Sequence, residues 1–312
     1  MNASLRKHHQ SDDDFTRAIQ QWLAGEVTGH LGSHMYTSDI NDQRWVQGHS
    51  APTYYFKADE KATLDLVVRD INIDVDSLID LGPGGEASVL AKTLPLLNAV
   101  KAQEYLPVDL APTLARSAVK IVHKQSGVSG HPIIADFFKP MSLRKPNSLL
   151  AFMGGTLANI ETYADKNLLQ KRLTDIFSDY AKVISYHGYM LVSFDANTNI
   201  QEIMECYNNA QLGRLITSCV DKAVDTSGFD YDVVWTGNNY QLATGLRSKR
   251  DQVVPFNGRQ YSLEKGEFLP VLNSYRFPVE FVKEAASLAG WQHRRTWSAT
   301  GRTQYLLFKL EP

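Results

Sequence analysis

The sequence predicts an α/β protein whose core is a parallel β-sheet covered by helices on both faces. Between residues 77 and 160, short apolar runs alternate with stretches in which apolar residues recur at helical spacing. A polar or glycine-rich turn separates each run from the helical stretch after it. Strands that alternate with helices are joined by crossover connections. Such connections produce a parallel sheet, which binds ligands at the carboxyl ends of its strands.

The first four strands can be placed in chain order. SLIDL predicts a strand that ends at Leu81, and EASVLAKTLPLL predicts the helix that follows. A second strand ends near Asp109, before the helical segment TLARSAVKIVHKQ. PIIADFF is predicted as a third strand, which Asp136 and Phe137 close, and SLLAFMGGTLANI contains a fourth. The ends of these strands therefore carry polar side chains and glycines.

A fifth strand follows, and the pattern then changes. A helix ends near Ser185 or Tyr186, and MLVSFD, after Gly188, predicts the fifth strand. Beyond it, IQEIMECYNNAQLGRLITSCVDKAV predicts a helical segment, and the turn residues PFNGR predict an antiparallel hairpin. From Phe277 the first pattern returns, with FPVEFVKEAASLAG as a helix that ends at Gly290 and TWSATGRTQYLLFKL as two terminal strands.

These patterns predict two domains. Residues 60–195 together with 275–312 form a nucleotide-binding domain. Residues 1–59 together with 196–274 form a smaller α+β domain that interrupts it. The sequence contains no internal repeat and no low-complexity stretch.

Composition favours a small-molecule ligand. The 312 residues are 43% hydrophobic and 21% charged, and a formal net charge of −2 gives no reason to expect nucleic acid or an anionic membrane as partner. The two cysteines, Cys206 and Cys219, are too few for a disulfide framework and suit a reducing compartment. We find no signal-peptide core and no run of about 18 apolar residues that could span a bilayer. We therefore expect a cytoplasmic protein.

We expect no metal ion. His30 and His34 could share a helical face as metal ligands, but Gly29 and Gly32 argue against a helix there. A third ligand is not evident from the sequence.

Residues suited to an adenosine ligand follow three successive strands. Gly82, in DLGPGG, stands where a nucleotide comes close to the backbone, because a Cβ there would collide with the ligand or forbid the backbone angles. Asp109 can accept both ribose hydroxyls, Asp136 can accept the exocyclic amine of adenine, and Phe137 can pack on its ring. Each acid alone fits a helix N-cap equally well. The glycine spacing lacks the diphosphate cradle of a dinucleotide site, so we expect S-adenosyl-L-methionine rather than NAD.

The chain contains five segments in a characteristic order: DLGPGG, LPVDLAP, ADFF, FMGGTLANI and YNNAQL. Together they resemble the ordered motifs of the histidine Nα-methyltransferases of ergothioneine biosynthesis, over roughly residues 36–310. The resemblance implies a Rossmann-like S-adenosyl-L-methionine-dependent methyltransferase domain, interrupted by a smaller domain that supplies the acceptor pocket. It implies an enzyme that methylates the α-amino group of an amino acid.

The resemblance also assigns roles to individual residues. The implied cofactor-binding positions are Tyr36, Gly82, Ser88, Asp109, Asp136 and Phe137. The implied catalytic positions, which hold the acceptor amino acid, are Asn159, Tyr207 and Tyr55. The implied substrate-binding positions are Gly154, Thr244, Leu272 and Ser274. Ordinary structural roles are the alternative, with the tyrosines half-buried and Asn159 capping the next helix.

Three positions depart from the family pattern. Ser88 stands where the family often has a lysine near the carboxylate of the cofactor. Leu272 stands where the family has a glutamate that faces the imidazole of histidine, and Thr244 replaces a usually larger apolar residue. A pocket without the acid and with more room suits a larger or less polar acceptor, such as tryptophan. Histidine itself, or a non-catalytic protein that binds the cofactor, are the alternatives.

Overall fold

The computed structural model of the chain describes residues 14–26, 31, 54–141, 143–160, 165–184, 187–236 and 240–310. Contacts between residues divide the chain into two compact units. The larger unit comprises Tyr54–Ala158, Ala164–Asn199 and Tyr275–Pro312. The smaller unit comprises Met1–Thr53, Asn159–Tyr163 and Ile200–Ser274.

The elements of the described residues are numbered here in chain order. The strands are β1 (Ser77–Leu81), β2 (Glu104–Asp109), β3 (Ser129–Gly130), β4 (Ile133–Ile134), β5 (Ser148–Phe152), β6 (Tyr189–Asp195), β7 (Phe229–Trp235), β8 (Gln241–Ser248), β9 (Gln252–Phe256), β10 (Arg259–Leu263), β11 (Phe268–Tyr275), β12 (Trp291–Trp297) and β13 (Thr303–Leu310). The helices are α1 (14–23), α2 (Tyr55–Asp70), α3 (the consecutive stretches Glu86–Ser88, Val89–Thr93 and Leu94–Ala99), α4 (Pro112–Ser126), α5 (Lys166–Ile184), α6 (Ile200–Tyr207), α7 (Ala210–Ser218) and α8 (Val279–Leu288).

The larger unit is built on one mostly parallel sheet, in the order β12-β13-β6-β5-β1-β2-β3, with β4 also paired to β2. Strands β2, β1, β5 and β6 run parallel, whereas β13 is antiparallel to both of its neighbours. The chain order reverses between β1 and β5, which makes this the topological switch point of the sheet. Ligands of such sheets bind in the crevice at the carboxyl ends of the strands there. The predicted Rossmann-like fold is confirmed.

Burial explains why these segments form central strands. Every residue of β1 and β5 is buried, as expected of continuous apolar runs in a sheet covered on both faces. Helix α4 begins with Pro112 in its first turn and ends at Gly127, whose left-handed φ of 75° suits glycine. Helix α5 buries a stripe that contains Leu169, Leu173 and Phe177 at helical spacing.

Helix α3 is less regular than its apolar spacing predicts. Its middle stretch, Val89–Thr93, is a π-helix, and the N–H of Leu94 donates to the carbonyl of Val89, five residues earlier. A π turn inserts one extra residue into the helix and is frequent at functional sites. The side chains within this turn therefore point in directions that a regular helix would not give them.

The prediction of a continuous third strand over PIIADFF is wrong. The structure has two short strands here, β3 and β4, each paired to β2. Strand β3 precedes PIIADFF, and Pro132, which has no N–H to donate to a ladder, separates it from β4. Within PIIADFF only Ile133–Ile134 form a strand, because Asp136 then forms a turn by accepting from the N–H of Phe138. Asp136 and Phe137 consequently lie in the turn after β4 instead of closing a strand.

The two units divide the chain at positions that differ from the predicted domain boundaries. Residues 54–59 and 196–199 belong to the larger unit, and residues 159–163 belong to the smaller one. The first difference has a simple cause. Helix α2 is continuous across position 60, and it packs against β13 of the larger unit.

The smaller unit contains a three-stranded sheet in the order β11-β8-β7 and a separate antiparallel hairpin of β9 and β10. The hairpin was predicted from PFNGR, and its turn residues Asn257 and Gly258 have φ values of 47° and 74°. Such left-handed angles are typical of tight hairpin turns. The predicted single helical segment is instead two helices, α6 and α7, because Asn209 caps α7 by accepting from the N–H of Leu212.

Among the described helices, none combines the length and the apolar character that crossing a membrane would require.

Strand β8 packs so closely on β11 that Gly245 is expected to tolerate no side chain. A Cβ added there would lie 2.2 Å from the carbonyl oxygen of Leu269, which belongs to the backbone and cannot turn aside. We expect Gly245→Ala to lower the free energy of unfolding by about 3 kcal/mol. Denaturant unfolding of the variant and the wild type measures this.

Gly258→Ala is the matched control, because it adds the same methyl group where no heavy atom lies within 4 Å, at a φ of +74°. Its cost is backbone strain alone, roughly 1 kcal/mol. Equal losses in the two variants would show that space beside Gly245 is not limiting.

Candidate functional site

The loop after β1 lies at the switch point of the sheet. Gly82 and Gly84 have φ values of 69° and 72°, which favour glycine. A Cβ on Gly82 would lie 3.5 Å from the side chain of Thr156 and 3.6 Å from the ring of Phe137. The N–H of Gly82 donates to the carbonyl of Val108 at 2.9 Å. The loops that follow β1, β4 and β5 therefore meet at Gly82.

Asp109 is the last residue of β2 and is only 7% exposed. Its Oδ1 accepts from the N–H of Ala111 at 2.8 Å, just before α4 begins. The N-cap of α4 is Ala111, without a side-chain cap hydrogen bond, so Asp109 forms a local turn before the helix and is not its N-cap.

Asp136 and Phe137 lie in the turn after β4. The Oδ1 of Asp136 accepts from the N–H of Phe138 at 3.0 Å, and Lys139 Nζ lies 3.3 Å from its Oδ2. The hydroxyl of the buried Tyr180 donates to the carbonyl of Phe137. Burial raises the pKa of Tyr180 well above its usual value, so this donor keeps its proton. The turn is therefore held in place from the interior of the larger unit.

The loop after β5 contains Gly154 and Gly155, with φ values of 77° and 70°. The N–H of Gly154 donates to Oε1 of Glu60, a buried carboxylate on α2. A Cβ on Gly155 would lie 3.1 Å from the ring of Phe56. The hydroxyl of Thr156 donates back to the carbonyl of Met153 at 2.9 Å. Helix α2 therefore fixes the backbone of this loop.

Tyr55, the first residue of α2, faces the carboxyl end of β6. Its hydroxyl donates to Oδ2 of Asp195 at 2.6 Å, and Nε of the buried Arg276 lies 3.0 Å from the same oxygen. The Oδ1 of Asp195 accepts from the N–H of Asn197 at 2.9 Å. Burial, and then the charge of Asp195, raise the pKa of Tyr55 far above its usual value. Tyr55 is thus a protonated hydroxyl whose hydrogen is directed at Asp195.

Three predicted substrate residues of the smaller unit share one face of its three-stranded sheet. The side chain of Gln241 on β8 donates to that of Asn273 on β11 at 2.7 Å, so these two residues lie on one face. Successive side chains of a strand alternate between faces. Thr244, Leu272 and Ser274 therefore lie together on the other face.

Tyr207 lies on the side of the sheet that carries these three residues. Val233 of β7 is paired with Thr244 of β8, so their side chains lie on the same face. Tyr231 stands two residues before Val233 and therefore lies on that face as well. The hydroxyl of Tyr231 donates to the carbonyl of Tyr207 at 2.7 Å, and its ring lies 3.1 Å from the position of a Cβ on Gly213 of α7. The structure therefore brings Tyr207, Thr244, Leu272 and Ser274 to one side of the sheet. We call this side the substrate face.

No acidic side chain of strands β7, β8 and β11 lies on the substrate face. The acids of β7 are Asp230 and Asp232, whose alternation places them on the opposite face. There, Arg247 of β8 pairs with Asp232. The three strands therefore present hydroxyl, aliphatic and aromatic groups, without a carboxylate, on the side where Leu272 lies.

The remaining predicted residues have different positions. Asn159 ends a 3₁₀ turn over Thr156–Asn159, after β5. It does not cap α5, because Asp165 accepts from the N–H of Asn167 at 2.6 Å and fills that role. Ser88 lies over the β1 loop, with its Oγ 3.3 Å from the position of a Cβ on Gly84.

Tyr36, together with His30 and His34, lies outside the described residues. Among the residues that the structure does describe, no group of three or more potential metal ligands is found.

The site contains residues that the sequence analysis missed. They are Glu60, Lys92, Thr156, Asp195 and Arg276. Asp195 could have been found, because it ends the predicted fifth strand MLVSFD as Asp109 ends the second. The others depend on contacts between distant parts of the chain, for which helical or strand spacing gives no signal.

The loops of the larger unit fit the predicted adenosine cofactor. A side chain at Gly82 would fill the space beside Thr156 and Phe137, so glycine keeps this point of the crevice open. Asp109 ends β2, and Asp136 follows the neighbouring strand β4 at the same edge of the sheet. Their oxygens match the hydroxyl and amine donors of an adenosine. The ring of Phe137 supplies an apolar surface for a base.

Comparison with known proteins points in the same direction. The profile of a family described as histidine-specific, SAM-dependent methyltransferases matches residues 30–310. This match confirms the resemblance seen in the sequence and confirms S-adenosyl-L-methionine as the cofactor. No protein with a curated description matches the chain in sequence.

The chain is similar to solved structures. One is an S-adenosylmethionine-dependent methyltransferase from Clostridium acetobutylicum ATCC 824, with a TM-score of 0.52 at 10% identity, over 88% of this chain and 100% of that one. Another is the PH0226 protein from Pyrococcus horikoshii OT3, with a TM-score of 0.48 at 14% identity, over 86% of this chain and 98% of that one. The first of these likenesses, at 10% identity, concerns the fold alone.

Asp109→Asn is expected to weaken binding of S-adenosylhomocysteine by about 10- to 100-fold, because a charge-assisted hydrogen bond becomes a neutral one. The asparagine Oδ1 can still accept from Ala111, so the turn before α4 should persist. Isothermal titration calorimetry measures the affinity. Asp225→Asn is the matched control, since Asp225 makes the same kind of turn with the N–H of Ser227 at 2.9 Å in the smaller unit. An unchanged affinity in a folded Asp109→Asn protein would remove Asp109 from the cofactor site.

Proposed function

The chain belongs to the family of histidine-specific, S-adenosylmethionine-dependent methyltransferases, and we propose that its acceptor is the α-amino group of a free amino acid. The proposed acceptor has a side chain larger or less polar than that of histidine, with tryptophan as the first candidate. The observation that carries this proposal is the substrate face, on which β7, β8 and β11 place no acidic side chain beside Leu272.

The larger unit provides the residues for the cofactor. Gly82, Asp109, Asp136 and Phe137 surround the crevice at the carboxyl ends of β1, β2 and β4. When bound, S-adenosyl-L-methionine supplies an activated methyl group that a neutral amine accepts by in-line displacement. The task left to the protein is to hold the amine in line and to keep its lone pair available.

Asn159 and Tyr207 are proposed to hold the amino and carboxylate groups of the acceptor. An asparagine side chain offers both donors and an acceptor, which suits an amine beside a carboxylate. Its place at the end of the 3₁₀ turn is favourable, because Thr156 at the start of that turn lies against Gly82. With Asp165 as the cap of α5, Asn159 is not required to start that helix.

Tyr55 is proposed to contribute a hydrogen-bond acceptor. Its proton is directed at Asp195, and Arg276 fixes that carboxylate in turn. A phenol that donates to a carboxylate presents its oxygen lone pairs to other donors, such as an N–H of the acceptor. The raised pKa of Tyr55, caused first by burial, means that it serves as a neutral group and not as a general base.

The substrate face is proposed to select the side chain of the acceptor. Leu272 and Thr244 offer an aliphatic group and a short side chain, and the hydroxyl of Thr244 donates to the carbonyl of Leu272 at 3.3 Å. A large apolar or aromatic side chain gains free energy on burial against such a surface. An imidazole would leave a ring nitrogen without a charged partner there.

L-Histidine is the second candidate acceptor, favoured by the description of the family. Ser274 lies on the substrate face, and its hydroxyl could bond one ring nitrogen. The other nitrogen would lack a partner, and a buried unpaired polar group costs about 1–3 kcal/mol. Incubation with each free amino acid, followed by mass spectrometry of the methylated products, tests the proposal. Absence of any product with an intact cofactor site would contradict an enzymatic function.

Asn159→Ala is expected to lower the methylation rate by at least about tenfold, because its proposed role is to hold the acceptor. The affinity for S-adenosylhomocysteine is expected to stay near that of the wild type. Thr156→Val, in the same 3₁₀ turn, is the control for damage to the loop, since it removes the hydrogen bond to the carbonyl of Met153. Rate assays and calorimetry measure both effects. Parallel loss of cofactor binding and turnover in Asn159→Ala would assign it a structural role.

Leu272→Glu is expected to shift the ratio of kcat/KM for histidine over tryptophan toward histidine by about one to two orders of magnitude. The carboxylate can pair with the imidazole, whereas an apolar side chain would have to desolvate it. Leu272→Met, of similar volume and without charge, is the control and should leave the preference unchanged. The measurement is kcat/KM for tryptophan and histidine in all three proteins. A wild-type preference for histidine, or a ratio that glutamate leaves unmoved, would show that Leu272 does not select the acceptor.

A further inference from the structure

A lysine with no role in the proposed chemistry lies beside the loop that follows β5. The Nζ of Lys92, on α3, is 2.7 Å from the position that a Cβ on Gly154 would occupy. Only the absence of a side chain at Gly154 allows the ammonium to approach the loop so closely. The side chain of Lys92 is 19% exposed, so the charge is largely removed from water yet still accessible.

The surroundings of Lys92 are acidic. Its Nζ lies 3.5 Å from Oε2 of Glu60, and its charge also acts on the buried Asp80 of β1. Burial raises the pKa of Asp80, whereas hydrogen bonds from Thr93 and Tyr105 lower it. The 3.5 Å separation exceeds the 2.7–2.9 Å that is usual for a charge-assisted hydrogen bond. An ammonium carries three donors, so the contact with Glu60 leaves Lys92 able to bind a further anionic oxygen.

The π turn of α3 determines where Lys92 points. Val89–Thr93 form this turn, and Lys92 lies inside it. Ser88, one turn earlier, is directed at Gly84 in the β1 loop, and its short side chain ends there. Lys92 therefore extends from the next turn of the same helix toward the β5 loop, beyond the reach of Ser88.

Lys92 lies near the β1 loop, which contains Gly82, at the switch point of the sheet. The position of a Cβ on Gly154, next to Lys92 Nζ, lies 3.9 Å from Oγ1 of Thr156. That Oγ1 lies 3.5 Å from the position of a Cβ on Gly82. The β5 loop thus lies between the ammonium of Lys92 and the β1 loop, at the switch point between β1 and β5.

We propose that Lys92 binds the α-carboxylate in the amino-acid part of S-adenosyl-L-methionine. The cofactor carries an adenosine at one end and an α-amino acid at the other, so a site for it needs a cation for the carboxylate as well as acceptors for the adenosine. Lys92 supplies that cation from α3, and Glu60 keeps the ammonium beside Gly154. This inference rests on the cofactor and is independent of the acceptor.

Two ligands that differ in the amino-acid part test the proposal by calorimetry without any acceptor. S-Adenosylhomocysteine has the carboxylate, whereas 5′-methylthioadenosine has the adenosine and a thioether but no amino-acid part. Lys92→Met is expected to lower the affinity for S-adenosylhomocysteine by about 10- to 100-fold and to leave the affinity for 5′-methylthioadenosine unchanged. Lys101→Met is the matched control, because Lys101 is an exposed lysine paired with Asp74 at 3.0 Å just after α3. It should change neither affinity.

A second variant protects the test against misfolding. Removal of Lys92 leaves the buried Glu60 without its cation, which can destabilise the protein. Lys92→Met combined with Glu60→Gln removes both charges, and the same selective loss of S-adenosylhomocysteine affinity is expected in it. A structural role alone would lower the affinity for both ligands together, or for neither, and would overturn the proposal.

The carboxylate of the acceptor amino acid is the competing source of the same chemistry. If Lys92 bound it, Lys92→Met would keep wild-type affinity for S-adenosylhomocysteine and would raise KM for the acceptor, which also overturns the proposal. The calorimetric comparison of S-adenosylhomocysteine with 5′-methylthioadenosine involves no acceptor. It therefore stays informative even if the proposed acceptor is wrong.

Discussion

The carboxylate of Glu60 holds the crevice of the larger unit together. It is 5% exposed and accepts hydrogen bonds from the N–H of Gly154, from the hydroxyl of Ser193 at 3.1 Å and from the hydroxyl of Tyr305 at 3.1 Å. Lys92 approaches its other oxygen. One side chain thus joins α2, the β5 loop, β6, β13 and α3. A buried carboxylate is costly unless it is paired and hydrogen-bonded, so these elements must take up their positions together. The loop that borders the cofactor crevice is consequently fixed by the interior of the unit.

Backbone conformation imposes a second constraint at the same place. Gly82 and Gly154 both have left-handed φ angles. A Cβ on Gly154 would displace the ammonium of Lys92, whereas a Cβ on Gly82 would lie at ordinary contact distance from Thr156. The two glycines keep space at the switch point, while Glu60 fixes one of the loops that contain them. Space and rigidity therefore come from different residues. Such a division allows a loop to lie close to a ligand without becoming flexible, which favours a site prepared before the ligand arrives.

The sequence predicts those features that depend on local spacing. Strand ends at Leu81 and Asp109 follow from short apolar runs bounded by turns, and the structure has them where the pattern places them. The third strand was misjudged because Asp136 forms a turn inside the apolar run, where its side chain accepts from the N–H of Phe138. Neither Glu60 nor Lys92 could be assigned to the site, because a charged residue on a helix is usually solvated. Their burial arises only from contacts with strands and loops far away in the chain. The compact units differ from the predicted domains by a few residues for a related reason, since sequence pattern does not show against which sheet a helix packs.

Membership of a family and choice of acceptor depend on different residues. The family match extends over residues 30–310 and therefore reflects the whole fold together with its cofactor loops. The proposed selection of an acceptor depends on a few side chains, namely Thr244, Leu272 and Ser274 on a single face of a three-stranded sheet. Exchange of a carboxylate for an aliphatic group on such a face alters the relative affinity for two amino acids without affecting the fold or the cofactor. If Leu272 lines the acceptor pocket as proposed, it gives histidine no charged partner and spares an apolar acceptor the cost of desolvating a carboxylate. Both effects act in the same direction, so the preference can change by more than the loss of one hydrogen bond alone would produce.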